Sequence, residues 1–357
     1  MKFTDVAIGD AIKLKIKSIA LAAYDLQVQK MPELKDRATP IFVEKSVKDT
    51  EYTLLYLSDA IRVSSPKLFA DYVLWFVDVM KNIPIPVKYL VVNIECISEI
   101  VEKYFDVREV EIIRSYIRNG LDSIDVHENQ ESESSPSEHP LKKYRTEYVE
   151  FLLNAERHKA NALVQELVKL NFSVQDIYLE IFHESQYEIG RLWQANKITI
   201  AEEHYCTAST QLIMGQLYPF IFATPKNDLV FVGACVGGEL HELGVRMVSD
   251  FMELAGWNTY YLGANMPAKS IVETLIKENA NVLGLSVTMS FHIKEAAELI
   301  KAIKSDPQCA GLKIVVGGYP FIVDDRLWRT IGADGFARNA REAVEVSEGL
   351  VASGGNR

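Results

Sequence analysis

The sequence predicts an α/β protein with a large all-α portion: a flavodoxin-like, five-stranded parallel-sheet domain at the C-terminal end, preceded by a four-helix bundle and an N-terminal helical module. Three observations predict it. From Asp228, short apolar runs at 229–235, 259–262, 282–287 and 313–316, with a weaker one near Gly335, alternate with amphipathic stretches opening at Val245, Lys269, Ile293 and Arg341. Strands that alternate with helices build a parallel, doubly wound sheet. Between Tyr144 and Leu217 apolar residues recur at helical spacing. Residues 126–140, VHENQESESSPSEHP, hold almost nothing that could enter a core, and so divide the chain.

In chain order, residues 1–125 form the first module. Leu54, Leu57 and Ile61, then Leu68, Tyr72, Trp75, Phe76 and Met80, keep helical spacing on either side of Ser64-Ser65-Pro66, a serine–proline helix start. Pro84 and Pro86 close the second helix, and 89–105 and 109–121 continue the pattern. Tyr72 and Trp75 read as core. A flexible linker is expected over 126–143. The bundle occupies 144–226, with helical periodicity over 144–170 and 173–195, and a further helix opened by the capping-box sequence Thr199-Ile200-Ala201-Glu202. The sheet domain fills 227–357.

Composition removes several classes. The 38 Lys and Arg against 49 Asp and Glu leave a net charge of −11, which argues against a broad phosphate-binding surface, so nucleic acid is not an expected partner. No run approaches the roughly 20 apolar residues of a membrane span, and the first residues lack a charged-then-apolar leader; a cytoplasmic protein is expected. Cys96, Cys206, Cys235 and Cys309 are far apart and form no CxxC pair, which supports neither a zinc ribbon nor a disulfide framework.

The chemistry concentrates after the first apolar run, at Glu239-Leu240-His241-Glu242-Leu243-Gly244. A histidine beside a carboxylate, between a strand and a helix, lies at the carboxyl edge of a parallel sheet, where such folds bind ligands. It offers an imidazole to a metal-centred cofactor. A dinucleotide site fits less well, because 233–238 lacks GxGxxG spacing and the second strand ends in Gly263-Ala264-Asn265 without an acid. The acidic cluster and last-strand lysine of a phosphorylated receiver domain are not evident either.

Glu239-x-His241-x-x-Gly244, then Ser286-Val287-Thr288 after the 41 residues 245–285, then Gly317-Gly318 after the 28 residues 289–316, resemble the DxHxxG, SxL and GG signature of cobalamin-binding domains of the methionine synthase and mutase type. The resemblance implies that His241 displaces the cofactor's own benzimidazole as the lower ligand of cobalt, that Glu239 holds the ring's other N–H, and that Leu240 and Gly244 complete the binding loop. It also implies a slot for the displaced nucleotide tail, faced by Ser286 and Thr288, with Gly317 and Gly318 sparing room for a ring system. Glu replaces Asp at 239, adding one methylene of reach, and Thr replaces Leu at 288.

Trp193 and, nine residues on, Glu203-His204 make a W-x9-EH pattern similar to the cap of light-sensing cobalamin proteins, in which these residues surround the adenosyl group of adenosylcobalamin. The histidine that follows the tryptophan in those photoreceptors is Gln194 here, with His183 and His204 as candidates in its place. No basic recognition helix precedes the cap, so DNA binding is not implied. Over roughly 145–350 the chain resembles photocobilins, which pair cobalamin with biliverdin; this implies a linear tetrapyrrole contacted by the first module and the cap, held without a covalent bond or through Cys96. The expected function is then a light sensor rather than an enzyme. Photolysis of the cobalt–carbon bond would change conformation or homo-oligomeric state and inform a downstream signalling protein. Two other functions stay open: a corrinoid carrier for methyl transfer, which a tryptophan over the upper face would obstruct, and a light-independent sensor of cobalamin.

Overall fold

The computed structural model describes residues 3–81, 85–130 and 139–354. The chain divides into two compact units, 1–134 and 135–357, so the break falls inside 126–140, the segment whose composition offers little to a core.

The first unit is helical: α1 (Phe3–Lys30), α2 (Pro40–Arg62), α3 (Pro66–Lys81), α4 (Lys88–Ile100) and α5 (Val107–Gln130). α2 opens at Thr39, whose hydroxyl accepts from Phe42 N at 3.2 Å, and Pro40 presets the first helical φ. Tyr72 is buried, stacked on Tyr56 with ring centroids 4.2 Å apart, and Trp75 packs beside it half-buried. Cys96 is fully buried, and burial pushes its thiol up to about 11; it is a core side chain, poorly placed to form a thioether. The linker is expected over 126–143. Residues 126–130 continue α5, because a nucleated helix propagates through Val126-His127-Glu128-Asn129-Gln130, which holds no Gly or Pro. Residues 131–138 of that linker lie outside the described residues, and α6 begins at Lys142.

The second unit begins with α6 (Lys142–Leu153) and α7 (Arg157–Lys169). The single periodic stretch 144–170 is two helices, since Ala155 turns to φ +57° and Glu156 N bonds back to Phe151 O at 2.8 Å. A composite helix follows: α8 (Val174–Asp176), a π-helical segment (Ile177–His183) and α9 (Glu184–Gln194). After it come α10 (Ile200–Gly215) and the short α11 (Tyr218–Ile221).

The sheet portion runs β1 (Val230–Cys235), α12 (Leu243–Leu254), β2 (Asn258–Gly263), α13 (Ala268–Lys277), β3 (Val282–Ser286), α14 (Ile293–Ser305), β4 (Lys313–Gly317), α15 (Tyr319–Val323), α16 (Leu327–Thr330), β5 (Gly335–Phe336) and α17 (Ala340–Gly354). All pairings are parallel, in the order β2-β1-β3-β4-β5. The step from β1 to β2 runs opposite to those from β2 to β3 and β3 to β4. Right-handed crossovers therefore place α12 on one face and α13 and α14 on the other. Among the described residues no helix is long and apolar enough to cross a membrane.

The bundle and the sheet portion share one core. Met247 and Phe251 of α12 are buried in the same cluster as Tyr148, Tyr178, Phe182 and Ile213 of the bundle. Within it the Tyr178 hydroxyl, on the π-helical segment, donates to Asp250 Oδ2 of α12 at 2.9 Å, while Arg246 Nη2 donates to Tyr218 Oη at 3.3 Å. Burial lifts the Asp250 carboxyl to about 6, against the opposing pull of the Tyr178 hydroxyl and the Arg246 charge.

The sign of that shift gives a prediction. A carboxyl raised above its ordinary 3.8 holds its proton more tightly in the folded chain, so its contribution is complete below pH 3.8 and lost as pH rises through about 6. The difference in unfolding free energy between wild type and Asp250→Asn should fall by about 2 kcal/mol from pH 4 to pH 7. Urea unfolding across that range measures it, and a pH-independent difference would contradict the assignment.

Candidate functional site

The register of the sheet assembles the site. Cys235 pairs with Ser286 and Ser286 with Gly317, so the ends of β1, β3 and β4 stand level at the carboxyl edge. The chain leaves β1 through Gly237 and Gly238, and Gly238 has φ +84° with its Cα against the His292 ring; a Cβ there would come within 2.6 Å of His292 Cε1. Asn265, from the turn after β2, braces this loop: its side-chain oxygen accepts from Gly238 N at 2.7 Å and its N–H donates to Glu239 O at 2.8 Å.

Glu239 is fully buried. One carboxylate oxygen accepts from His241 N at 3.1 Å and lies 2.5 Å from His241 Nδ1; the other accepts from Thr288 N at 2.8 Å and Met289 N at 2.9 Å. Burial opposes its charge, yet the His241 ring and the N–H groups of Met289, His241 and Thr288 outweigh burial and hold the carboxyl down at about 2. The hydrogen bond to Glu239 is also the main reason the His241 ring is held above the ordinary imidazole value, with burial opposing and Glu203 of α10 adding to it through space. Donation of Nδ1–H to Glu239 leaves the Nε2 lone pair for another ligand, on a side chain that is 60% exposed.

Leu240 is 70% exposed and Trp193 43% exposed, two large apolar groups facing out of the fold near this loop and at the end of α9. The helix end at Trp193 is fixed by Asn196, whose φ of +53° lets Asn196 N reach Trp193 O and Lys197 N reach Leu192 O, each at 2.9 Å. Thr199 and Glu202 then form the expected capping box, which puts Glu203 in the first turn of α10. Glu203 Oε2 sits 2.7 Å from Nδ1 of the mostly exposed His204. Gln194 is exposed, and His183 is engaged by Tyr187 and Glu184.

At Gly318 and Thr288 the structure adds a physical reason of its own for the residue. Gly318, at φ +113°, could not carry a side chain even without a ligand, since a Cβ would fall 1.9 Å from Val287 O; it is required by the approach of β4 to β3. A Cβ at Gly317 would lie 3.2 Å from Ala337 O, whereas one at Gly244 would meet no protein atom within 4 Å. Thr288 acts through its backbone N–H. Sequence reasoning also missed Glu242 and Gln211, whose side chains meet at 3.1 Å; neither carries a motif signal.

The four bonds on Glu239 make it a strut of the fold as well as a partner of the ring. Glu239→Gln would turn an amide against N–H donors and should cost about 3 kcal/mol of unfolding free energy. His241→Ala leaves three backbone donors on the carboxylate and should cost about 1 kcal/mol or less. Urea unfolding of the cofactor-free protein compares them; equal losses would show that Glu239 serves the ring alone.

The chain is similar to known proteins over much of the second unit. Residues 144–218 and 229–346 each match a family described as a B12 binding domain. Dimethylamine corrinoid protein 2 of Methanosarcina mazei is 30% identical over 166 residues, covering 46% of this chain and 74% of that protein. Dimethylamine corrinoid protein 3 of the same organism is 31% identical over 168 residues, covering 47% of this chain and 96% of its own length. In fold, the monomethylamine corrinoid protein of Methanosarcina barkeri superposes with a TM-score of 0.52 at 21% identity, over 57% of this chain and 96% of that one. Residues 1–134 lie outside both B12-binding matches. The chain belongs to the family of B12-binding corrinoid proteins.

Proposed function

We propose that this chain is a corrinoid carrier, which holds cobalamin between the helical cap and the carboxyl edge of the sheet and presents it to partner enzymes for methyl transfer. The observation that carries the reading is the pairing of a fully buried Glu239 with a largely exposed His241 at the end of β1. That donor set fits a cobalt ligand: the ring is oriented through Nδ1 and open at Nε2. Bound cobalamin supplies a cobalt–carbon bond that is made and broken. The chain's own residues do the rest. His241 would hold the lower face, Glu239 would fix its tautomer, Leu240 and Trp193 would give apolar cover, and the level ends of β1, β3 and β4, with Ser286, Thr288, Gly317 and Gly318, would receive the nucleotide tail beside the open space at Gly244. Methyl carriage draws its support from the likeness to dimethylamine corrinoid proteins over 166 and 168 residues. In this reading catalysis belongs to the partners.

A second reading, an adenosylcobalamin light sensor, is favoured by one observation: Glu203 of the W-x9-EH pattern stands in the first turn of α10, with His204 Nδ1 2.7 Å from its carboxylate. Affinity separates the two. A carrier should bind methylcobalamin and hydroxocobalamin within about tenfold (1.4 kcal/mol) of adenosylcobalamin. A preference for the adenosyl form beyond that, lost in Trp193→Ala and accompanied by a light-dependent change in mass, would replace the carrier reading by the sensor. In either case His241→Ala should leave a base-off spectrum; an unchanged His-on spectrum would remove the site assignment.

A further inference from the structure

The neighbour of the proposed axial ligand is tied to two different parts of the fold. Glu242 Oε1 accepts from Gln211 Nε2 of the cap helix α10 at 3.1 Å. Its Oε2 accepts from Ala264 N, in the turn after β2, at 3.0 Å. A Cβ at Gly263 would come within 3.0 Å of Glu242 Oε2, so the β2 end is built to let the carboxylate in. Gln211 is not an isolated contact. Glu203, Thr207 and Gln211 recur at four-residue intervals on one face of α10, where Thr207 Oγ1 lies 3.1 Å from Glu203 Oε1 and 2.7 Å from Gln186 Oε1 of α9. A polar row thus runs along one face of the cap helix from Glu203 to Gln211, which meets the residue next to His241.

We infer that Glu242 is a positioning residue that couples the cap to the His241 loop: the Gln211–Glu242 hydrogen bond makes the placement of the lower ligand depend on the cap being seated. The inference rests on the cobalamin reading above. A neutral amide donor on a carboxylate is strong enough to order both partners and weak enough to be exchanged for water. Most of the cap–α12 contact is apolar and packs as one core, so this polar link is the part that can open without exposing a large apolar surface. Glu242 touches neither side of the imidazole. Its effect on ligation would pass through the loop backbone, from a carboxylate held at both oxygens to the Cα of the preceding residue.

The experiment uses the full chain as wild type, Gln211→Ala, Gln211→Lys, Glu242→Ala and the double alanine variant. In the cofactor-free protein, Gln211→Ala should speed amide hydrogen exchange across 238–246 by about tenfold. Gln211→Lys, which returns a donor, should restore slow exchange, a rescue that loss of packing alone does not allow. With methylcobalamin as the probe, each single alanine variant should bind about tenfold more weakly, with a smaller His-on fraction in the visible spectrum. The double variant should be no worse than Glu242→Ala. Unchanged exchange in Gln211→Ala, or additive losses in the double variant, overturns the coupling. Failure of the wild type to bind any cobalamin removes the functional reading instead, and the exchange measurement still decides whether cap and loop are coupled.

Discussion

The site depends on one buried carboxylate. Glu239 has no solvent contact and would be expelled or neutralised if it lacked donors, because an unpaired charge in such surroundings costs several kcal/mol. Four donors surround it: the ring and backbone of His241 and the N–H groups of Thr288 and Met289. Those donors come from the loops after β1 and after β3, so the charge stitches together two chain segments that the sheet brings level. The extra methylene of Glu over Asp finds its use here, since the carboxylate must reach across from one strand end to the next. The ordering of His241 follows from that reach.

What seats the cap over the loop is of another kind. The bundle and α12 bury Met247, Phe251, Tyr178 and Phe182 in one cluster, an area-driven contact with little directional preference. Direction is added by polar pairs set in or beside it, Tyr178 with Asp250 and Gln211 with Glu242. The π-helical turn at Ile177–His183 widens the helix where Tyr178 reaches α12, in keeping with the frequent use of such turns where a side chain must be re-aimed. Apolar packing fixes how strongly the cap is held, and the polar pairs fix in what register.

Much of the sheet portion was legible, because alternating strands and helices with a loop histidine leave a periodic trace and the order β2-β1-β3-β4-β5 is the usual outcome for five such units. The capping box at Thr199 and the break at Pro66 were legible for the same local reason. α1 left no trace: Ile12 and Ile19 are buried while Leu14, on another side of the same helix, is 88% exposed, so its apolar residues make no single stripe. The helical end of α5 was hidden by composition, as polarity marks a lack of core without forbidding a helix. Gly318 shows a different limit. Its glycine is set by the carbonyl of Val287, a contact between strands that spacing along the chain cannot reveal, and it looked like room for a ligand when it is first a condition of the fold. Glu242 was invisible because a single carboxylate next to a motif histidine has no period and no partner in sequence.

The W-x9-EH pattern shows how far a local motif can be carried. Its residues stand where the helix ends place them: Trp193 at the turn locked by Asn196 and Glu203 one turn into the capped α10. That turn would bring an indole and a carboxylate to the same end of the cap whether the upper ligand is large or small. An exposed indole gives apolar area to any corrin face, and a Glu–His pair at the surface can serve a ribose hydroxyl or water alike. Geometry at this end of the cap therefore leaves the size of an upper ligand open. The His241 loop is more determinate, because a buried charge with four donors holds the ring in one arrangement at the carboxyl edge of the sheet.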